Sequence, residues 1–453
     1  MRIYNTLSRS IEEFKPIDPT NVRIYSCPTV YQPHLGNMRK YFLDDLLKNT
    51  LKYVAGYQTT HVVNITDVHL TDDGDHGEDK MEKARREITA RDVAERYEEL
   101  FHKNCRALLL DPFDVTPRAT DHIAEQINMV QQLEEKYTYI IPDDGVYMDT
   151  SHIESYGQLL ENYKKHIALQ SGARINNDGK RNSTDFALRK FNTTGKRRDM
   201  ERESPRIGFP GRHIECSAMS IKYLGNHFDI HTGGVDHIPV HHCNEIAQSE
   251  CSCASSPRVN YRVHYQFLNI NNERIAKSTG NIITLDEVIE KYNAEDIRYF
   301  FLQAHYRSFQ DFTREQLDAA KKSRNNLKKI LSPYQNISAS MLQDDISYLS
   351  EVLLDDLNTP KLLARLRAGQ EALDQQLASA IKYLDDKVLK ILFESEETIS
   401  IEIPEHIKSL AEARRQAKIN KNRDIADQLK QQIIEAGRQI KDGKEGYEIV
   451  LIS

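Results

Sequence analysis

β-branched and aromatic positions dominate the short run Val22-Arg-Ile-Tyr25, which stops at Cys27-Pro28. A helical period takes over across residues 38–53, and a second β-rich run fills residues 58–63. Strand, turn, helix, strand in this order predicts a βαβ unit, a parallel sheet and a site at the strands' carboxyl ends. His34 and Asn37 fall at the turn into the helix, where unpaired backbone N–H groups and the helix dipole favour phosphate.

Further on, residues 88–135 carry a helical pattern. Asp143-Asp144-Gly145 predicts a turn and Val146-Tyr147-Met148 a strand. The polar stretch 170–210, rich in Asn, Arg, Thr and Gly, predicts an irregular insertion. Strand patterns return at 227–231 and 261–268. Residues 285–392 are helical almost throughout and predict a separate bundle. Phe393-Glu-Ser-Glu-Glu397 and Pro404 then punctuate the chain before a basic helical unit over 408–436 that closes with Gly437.

At 453 residues the chain exceeds one ordinary core, and 28% charged against 39% hydrophobic residues suits a water-facing globular protein. No apolar run approaches the roughly 18 residues of a membrane span, so no membrane partner is expected. Met1-Arg-Ile-Tyr-Asn-Thr6 lacks an apolar core followed by a cleavage site, which predicts a cytoplasmic protein. Six cysteines in so long a chain do not make a disulfide framework, and Cys251-Ser-Cys253 reads as free thiols. The net charge of −7 argues against nonspecific nucleic-acid binding. Charge is uneven, however: residues 408–444 hold ten Lys and Arg against five Asp and Glu, and a second basic cluster runs from Arg189-Lys190 to Lys196-Arg197-Arg198. Either could meet phosphates, although a solvated helical face explains the first equally well.

His241 and Glu245 are four apart, so on a helix they share a face and could bind one ion. Spacing alone leaves a solvated pair open, and it cannot place Cys27 with Cys216. The segments around them are more specific. Asp229-Ile-His-Thr-Gly-Gly-Val-Asp236 through His241-His-Cys-Asn-Glu245, Arg212-His-Ile-Glu-Cys216-Ser-Ala-Met219 and Cys27-Pro-Thr-Val-Tyr31 closely resemble segments of the cysteinyl-tRNA synthetases. Pro117-Arg-Ala-Thr-Asp-His122, Asp296-Ile-Arg298, His305-Tyr-Arg307 and Asp355-Asp-Leu-Asn358-Thr-Pro360 extend the resemblance through nearly the whole chain. It implies an α/β fold: a Rossmann-like catalytic domain over 1–290 with an insertion at about 115–215, a helical bundle over 291–400 and a small anticodon-binding domain over 401–453. It also implies one zinc ion held by Cys27, Cys216, His241 and Glu245. Zinc prefers a thiolate to a hydroxyl, whereas a pocket that discriminates by size gains only about 1–3 kcal/mol per group.

His34-Leu-Gly36-Asn37 and Arg274-Ile-Ala-Lys277-Ser278 resemble the two ATP signatures of class I synthetases. The likeness implies that Gly36 admits the adenine, that His34 and Asn37 donate to phosphate oxygens, and that Lys277 neutralises the pyrophosphate. Gly233, Gly234 and Asp236 match positions around the adenosine, and Thr66 and Asp67 a segment lining the amino-acid pocket. The chain also departs from the pattern: the Gly after the first Cys is missing, Arg274 replaces a Lys, and no tryptophan occurs, Arg212 and Arg189 standing in two of its places. The expanded acidic stretch 69–80 reads as a solvated turn.

The implied reaction is attachment of L-cysteine to tRNA(Cys) through cysteinyl-adenylate, with ATP and Mg2+, by a monomer. Arg414, Arg415, Lys418, Lys421 and Arg423 are the tRNA-facing candidates. Two rivals are a zinc-dependent ligase joining cysteine to an amino sugar, as in mycothiol synthesis, and an inactive tRNA-binding paralogue.

Overall fold

The computed structural model describes residues 1–27, 33–67, 90–160, 179–191, 202–203, 207–253, 258–275, 281–339, 343–369, 373–393, 405–419, 422–435, 438–442 and 447–451. The chain forms two compact units, Met1–Phe393 and Glu394–Ser453.

The first unit is organised by a four-stranded parallel sheet. Its strands are β1 (Asn21–Ser26), β2 (Gln58–Val63), β3 (Phe228–Gly234) and β4 (Val259–Tyr265), in the order β4-β3-β1-β2. Ser26 is in register with Val63 on one side and Thr232 on the other, so the three carboxyl ends stand level. Helix α1 (Leu35–Asn49) links β1 to β2 and packs Leu35, Met38, Phe42 and Leu46 into the core. The strand order reverses between β1 and β3, which opens a crevice at their carboxyl ends. The predicted βαβ unit is present.

Helix α2 (Arg212–Leu224) leads into β3, and helix α3 (Cys243–Cys253) lies between β3 and β4. A second sheet occupies the predicted insertion. It is antiparallel, in the order Thr138–Ile141, Gly145–Met148, Phe186–Phe191, Ile207–Pro210, Arg202–Glu203. Most of the described residues in the stretch expected to be irregular are therefore strand. Every residue of Phe186–Phe191 is buried, including Arg189 and Lys190, so the charges disguised an inner strand. Lys190 is satisfied by Asp144 at 2.6 Å and by the Tyr147 hydroxyl. The helical pattern over 88–135 divides into Ala90–Ala107 and Ile123–Tyr137, since Pro112 and Pro117 cannot continue a helix.

Helices α4 (Ala294–Leu302) and α5 (Arg314–Leu331) open the helical region, which shares its hydrophobic core with α1 and β1. A short sheet of Glu273–Arg274, Leu268–Ile270 and Gln310–Phe312 interrupts the helical pattern there. The Asp355-Asp-Leu-Asn358 segment is a knot: Asp356, at φ 60°, accepts from the Tyr4 amide at 2.9 Å and from both Tyr306 and Arg307. The second unit has helices Glu405–Ile419 and Arg423–Glu435, followed by a hairpin, Arg438–Asp442 with Tyr447–Leu451, that the basic helical pattern did not predict. No helix among the described residues is long and apolar enough to cross a membrane.

Candidate metal and nucleotide site

Four segments deliver ligand atoms to the crevice. Cys27 leaves β1, its N–H donating to Thr232 O at 3.3 Å and its carbonyl accepting from Lys40 Nζ at 2.7 Å. Cys216 comes from α2, His241 from the turn before α3, and Glu245 from the first turn of α3. Their donor atoms all lie within 4.8 Å of one another. Donors on a zinc tetrahedron stand about 3.3–3.8 Å apart, and Cys27 Sγ lies 3.5 Å from Glu245 Oε1. His241 Nε2 is 2.8 Å from Glu245 Oε1, yet it makes no hydrogen bond of acceptable angle. Two thiols, an imidazole and a carboxylate, all but His241 fully buried, fit a borderline-soft dication.

A second set, Cys27, His231, His242 and Glu245, also converges within 4.8 Å. Its histidine nitrogens are already engaged, His231 Nε2 with Glu245 Oε2 at 2.6 Å and His242 Nε2 with Cys27 Sγ at 3.2 Å. His242 Nδ1 continues to His264 Nε2 at 2.7 Å, and His264 Nδ1 to Thr6 Oγ1 at 2.8 Å. His213 Nδ1 lies 2.7 Å from His241 Nδ1, which turns the opposite nitrogen toward Glu245. These histidines orient the first set rather than replace it. The sequence reading missed all of them. What signal there was is positional: His231 and His264 stand on the neighbouring strands β3 and β4 near their carboxyl ends, and His242 follows His241 directly.

Electrostatics concentrate negative charge on the ligands. A hydrogen bond from Cys27 pulls the Cys216 thiol down to about 6, while burial pushes Cys27 up. Burial opposes charge on Glu245, but His231 and His241 hold its carboxyl well below the usual range. Burial likewise opposes charge on His241, yet Glu245 raises it to about 10. Burial and the neighbouring imidazoles keep His242 and His264 neutral.

The nucleotide candidates lie at the same crevice. His34 caps α1, its Nδ1 accepting from the Asn37 amide at 3.2 Å while Asn37 Oδ1 accepts from the His34 amide at 3.2 Å. A Cβ at Gly36 would stand 3.1 Å from the His34 ring and 3.2 Å from Ile275. One at Gly233 would meet the His242 ring at 2.6 Å, so this backbone passes the histidine cluster only as glycine. Arg274 spreads over Phe267 at 4.2 Å and reaches to 4.0 Å from Asp236, which follows Gly234 by two residues. Lys277 and Ser278 lie outside the described residues, as do the turn after Cys27 and the acidic stretch 69–80. Thr66 is buried beside Asn64, which accepts from Tyr25 at 2.7 Å and from Cys216 at 3.6 Å. Asp67 is spent on Thr120, from which it accepts both N–H and hydroxyl. Arg212 opens α2, partly exposed. In the second unit Arg415 and Lys418 are exposed but Arg414 is buried; Lys421 and the Arg423 side chain lie outside the described residues.

Residues 13–322 match the sequence model of the tRNA synthetases class I (C) catalytic domain. Cysteine–tRNA ligase 1 of Burkholderia lata is 40% identical over 460 residues, 99% of this chain and 96% of the relative. The cysteine–tRNA ligase of Thermococcus gammatolerans is 36% identical over 485 residues, 98% of each chain. Among solved structures, the Mycobacterium tuberculosis methionyl-tRNA synthetase in complex with methionyl-adenylate aligns with a TM-score of 0.53 at 16% identity, over 81% of this chain and 82% of that one. The likeness shows a shared fold.

Proposed function

Because the chain belongs to the cysteine–tRNA ligase family of class I synthetases, we propose that it attaches L-cysteine to tRNA(Cys) in two steps. A carboxylate oxygen of cysteine attacks the α-phosphorus of magnesium-bound ATP, forming the mixed anhydride and releasing pyrophosphate. A ribose hydroxyl at the tRNA terminus then attacks the carbonyl carbon, giving the ester and AMP. No covalent enzyme intermediate is needed, so rate comes from positioning and charge stabilisation.

Cys27, Cys216, His241 and Glu245 would hold one zinc ion. When bound, it supplies a Lewis acid that prefers thiolate to hydroxyl, which separates cysteine from serine. The chain's own residues do the rest. His34 and Asn37, at the positive end of α1, face the phosphates. Gly36, Gly233 and Gly234 leave room for adenosine, and Asp236 accepts from its ribose. Arg274, Lys277 and Ser278 serve the leaving pyrophosphate. Thr66 and Arg212 flank the amino acid. The basic 401–453 segment meets the anticodon region, with Arg415 and Lys418 exposed and Lys421 and Arg423 as further candidates. We place the enzyme in the cytoplasm as a monomer.

The convergence of four metal-type donors from distant segments at the sheet's reversal point, beside the N-terminus of α1, carries this reading. ATP–pyrophosphate exchange tests it. Exchange should require cysteine, ignore serine, and be followed by charging of tRNA(Cys). Cysteine-independent behaviour, or transfer to an amino sugar instead of tRNA, would overturn it.

A further inference from the structure

One acidic residue at the crevice is used by neither the fold nor the metal set. Glu215 lies in α2 directly before Cys216 and is completely buried. Neither of its carboxylate oxygens has a hydrogen-bond partner among the described residues. The Thr66 hydroxyl is near enough to favour its charge but lacks hydrogen-bond geometry. Cys216 and Asp67 add negative charge around it, and Arg212, one turn earlier on the same helix face, opposes them only weakly. A buried carboxylate without donors is costly, and such groups are retained where a cation or donor arrives to meet them.

We propose that Glu215 receives the α-ammonium group of the amino-acid substrate, an assignment that rests on the ligase reading above. In cysteine the ammonium and the thiol sit on adjacent carbons. A substrate whose thiol is anchored at the Cys216 set therefore carries its ammonium to the neighbouring part of the pocket, where Glu215 and Thr66 stand. The ammonium supplies both things the carboxylate lacks, a positive charge and N–H donors. Asp67, the other acid nearby, is not available, since both of its oxygens already accept from Thr120. Glu215 thus positions the substrate: with the thiol fixed at one end and the ammonium at the other, the carboxylate is left to face ATP. Arg212, at the helix start, is then free of Glu215 and can attend to that carboxylate.

The test compares two thiols on the zinc-loaded full-length protein: cysteine, and 3-mercaptopropionate, which has the same thiol and carboxylate but no ammonium. In Glu215→Gln, cysteine affinity should fall about tenfold or more while 3-mercaptopropionate stays within about twofold and zinc content is unchanged. In pyrophosphate exchange the KM for cysteine should rise and that for ATP stay constant. Equal weakening of both thiols, or of neither, overturns the assignment. Should Glu215→Gln fail to fold, Glu215→Asp serves: retracting the charge must weaken cysteine selectively, and wild-type affinities for both thiols overturn the proposal. A wild type that binds neither thiol overturns the ligase reading itself, a result distinct from any of these.

Discussion

Cys216 joins two properties, since it belongs to the candidate metal set and its thiol is drawn down to about 6 by Cys27. Exchanging its sulfur for oxygen removes a soft donor with little change in volume. Cys216→Ser should therefore lose zinc by elemental analysis and lose the preference for cysteine over serine in exchange, while keeping its fold by circular dichroism. Retention of one zinc per chain would count against the donor set. Cys27 and Cys216 are 189 residues apart, so no spacing rule could pair them. Only motif resemblance did; in the fold their sulfurs lie within 4.8 Å of each other, Cys27 at the end of β1 and Cys216 on α2. His231 and His264 escaped because a lone histidine on a strand looks like any core residue until the sheet brings the strand ends together. Asp385 shows residue-level physics of another kind. It is buried and accepts from the amides of Ile391, Leu392 and Phe393, yet burial outweighs them and raises its carboxyl to about 6. The folded state then keeps a proton that the unfolded chain has already released. Its contribution is largest below the ordinary value of 3.8 and declines as pH rises through about 6. Urea titrations of Asp385→Asn should show a flatter pH dependence over that window, by about 3 kcal/mol in total.

The elements that position the site depend on a few buried charges. Arg298 of α4 is fully buried and reaches Asp45 of α1 at 3.4 Å, the carbonyl of Leu108 at 3.0 Å and that of Leu389 at 2.8 Å. It thereby ties the helical region to α1, whose N-terminus is the proposed phosphate site. Replacing it leaves Asp45 charged and buried with no cation at contact distance among the described residues. Arg298→Met should lower the unfolding free energy by about 3–5 kcal/mol, seen as a lower urea midpoint with an unchanged slope. Elements were legible where the hydrophobic period was clean: β1, α1 and β2 all lie within a few residues of their predicted places. They were illegible where charge is buried or where charged residues fill a strand. Arg189 and Lys190 hide an inner strand, and the hairpin after the last helix is written in Arg, Lys, Asp and Glu as much as in Ile and Val. Patterning assumes that charges face water, and this protein breaks that rule wherever a partner such as Asp144 waits inside.

At the scale of the whole molecule, the proposed chemistry and the proposed tRNA reading fall in different compact units. Every residue of the metal set, and every described residue of the nucleotide set, belongs to Met1–Phe393, which contains its own continuous core. Glu394–Ser453 contributes none of them, and most of it is the span in which Lys and Arg outnumber Asp and Glu by ten to five. That 408–444 stretch is the basic part of a unit with ten Lys and Arg against twelve Asp and Glu overall, and such a stretch gains affinity by releasing counterions from phosphates. Adenylate formation needs only the first unit, whereas tRNA affinity should draw on both. A chain ending at Phe393 should accordingly keep cysteine-dependent pyrophosphate exchange within about twofold, because the first unit holds the reacting groups. Its KM for tRNA should rise by about tenfold or more, and the salt dependence of tRNA binding should become shallower, since fewer phosphate contacts remain. Steady-state aminoacylation over a range of tRNA and salt concentrations measures both. If exchange fell in parallel with charging, the second unit would be supporting the catalytic fold; if charging were untouched, its basic surface would face solvent and nothing else.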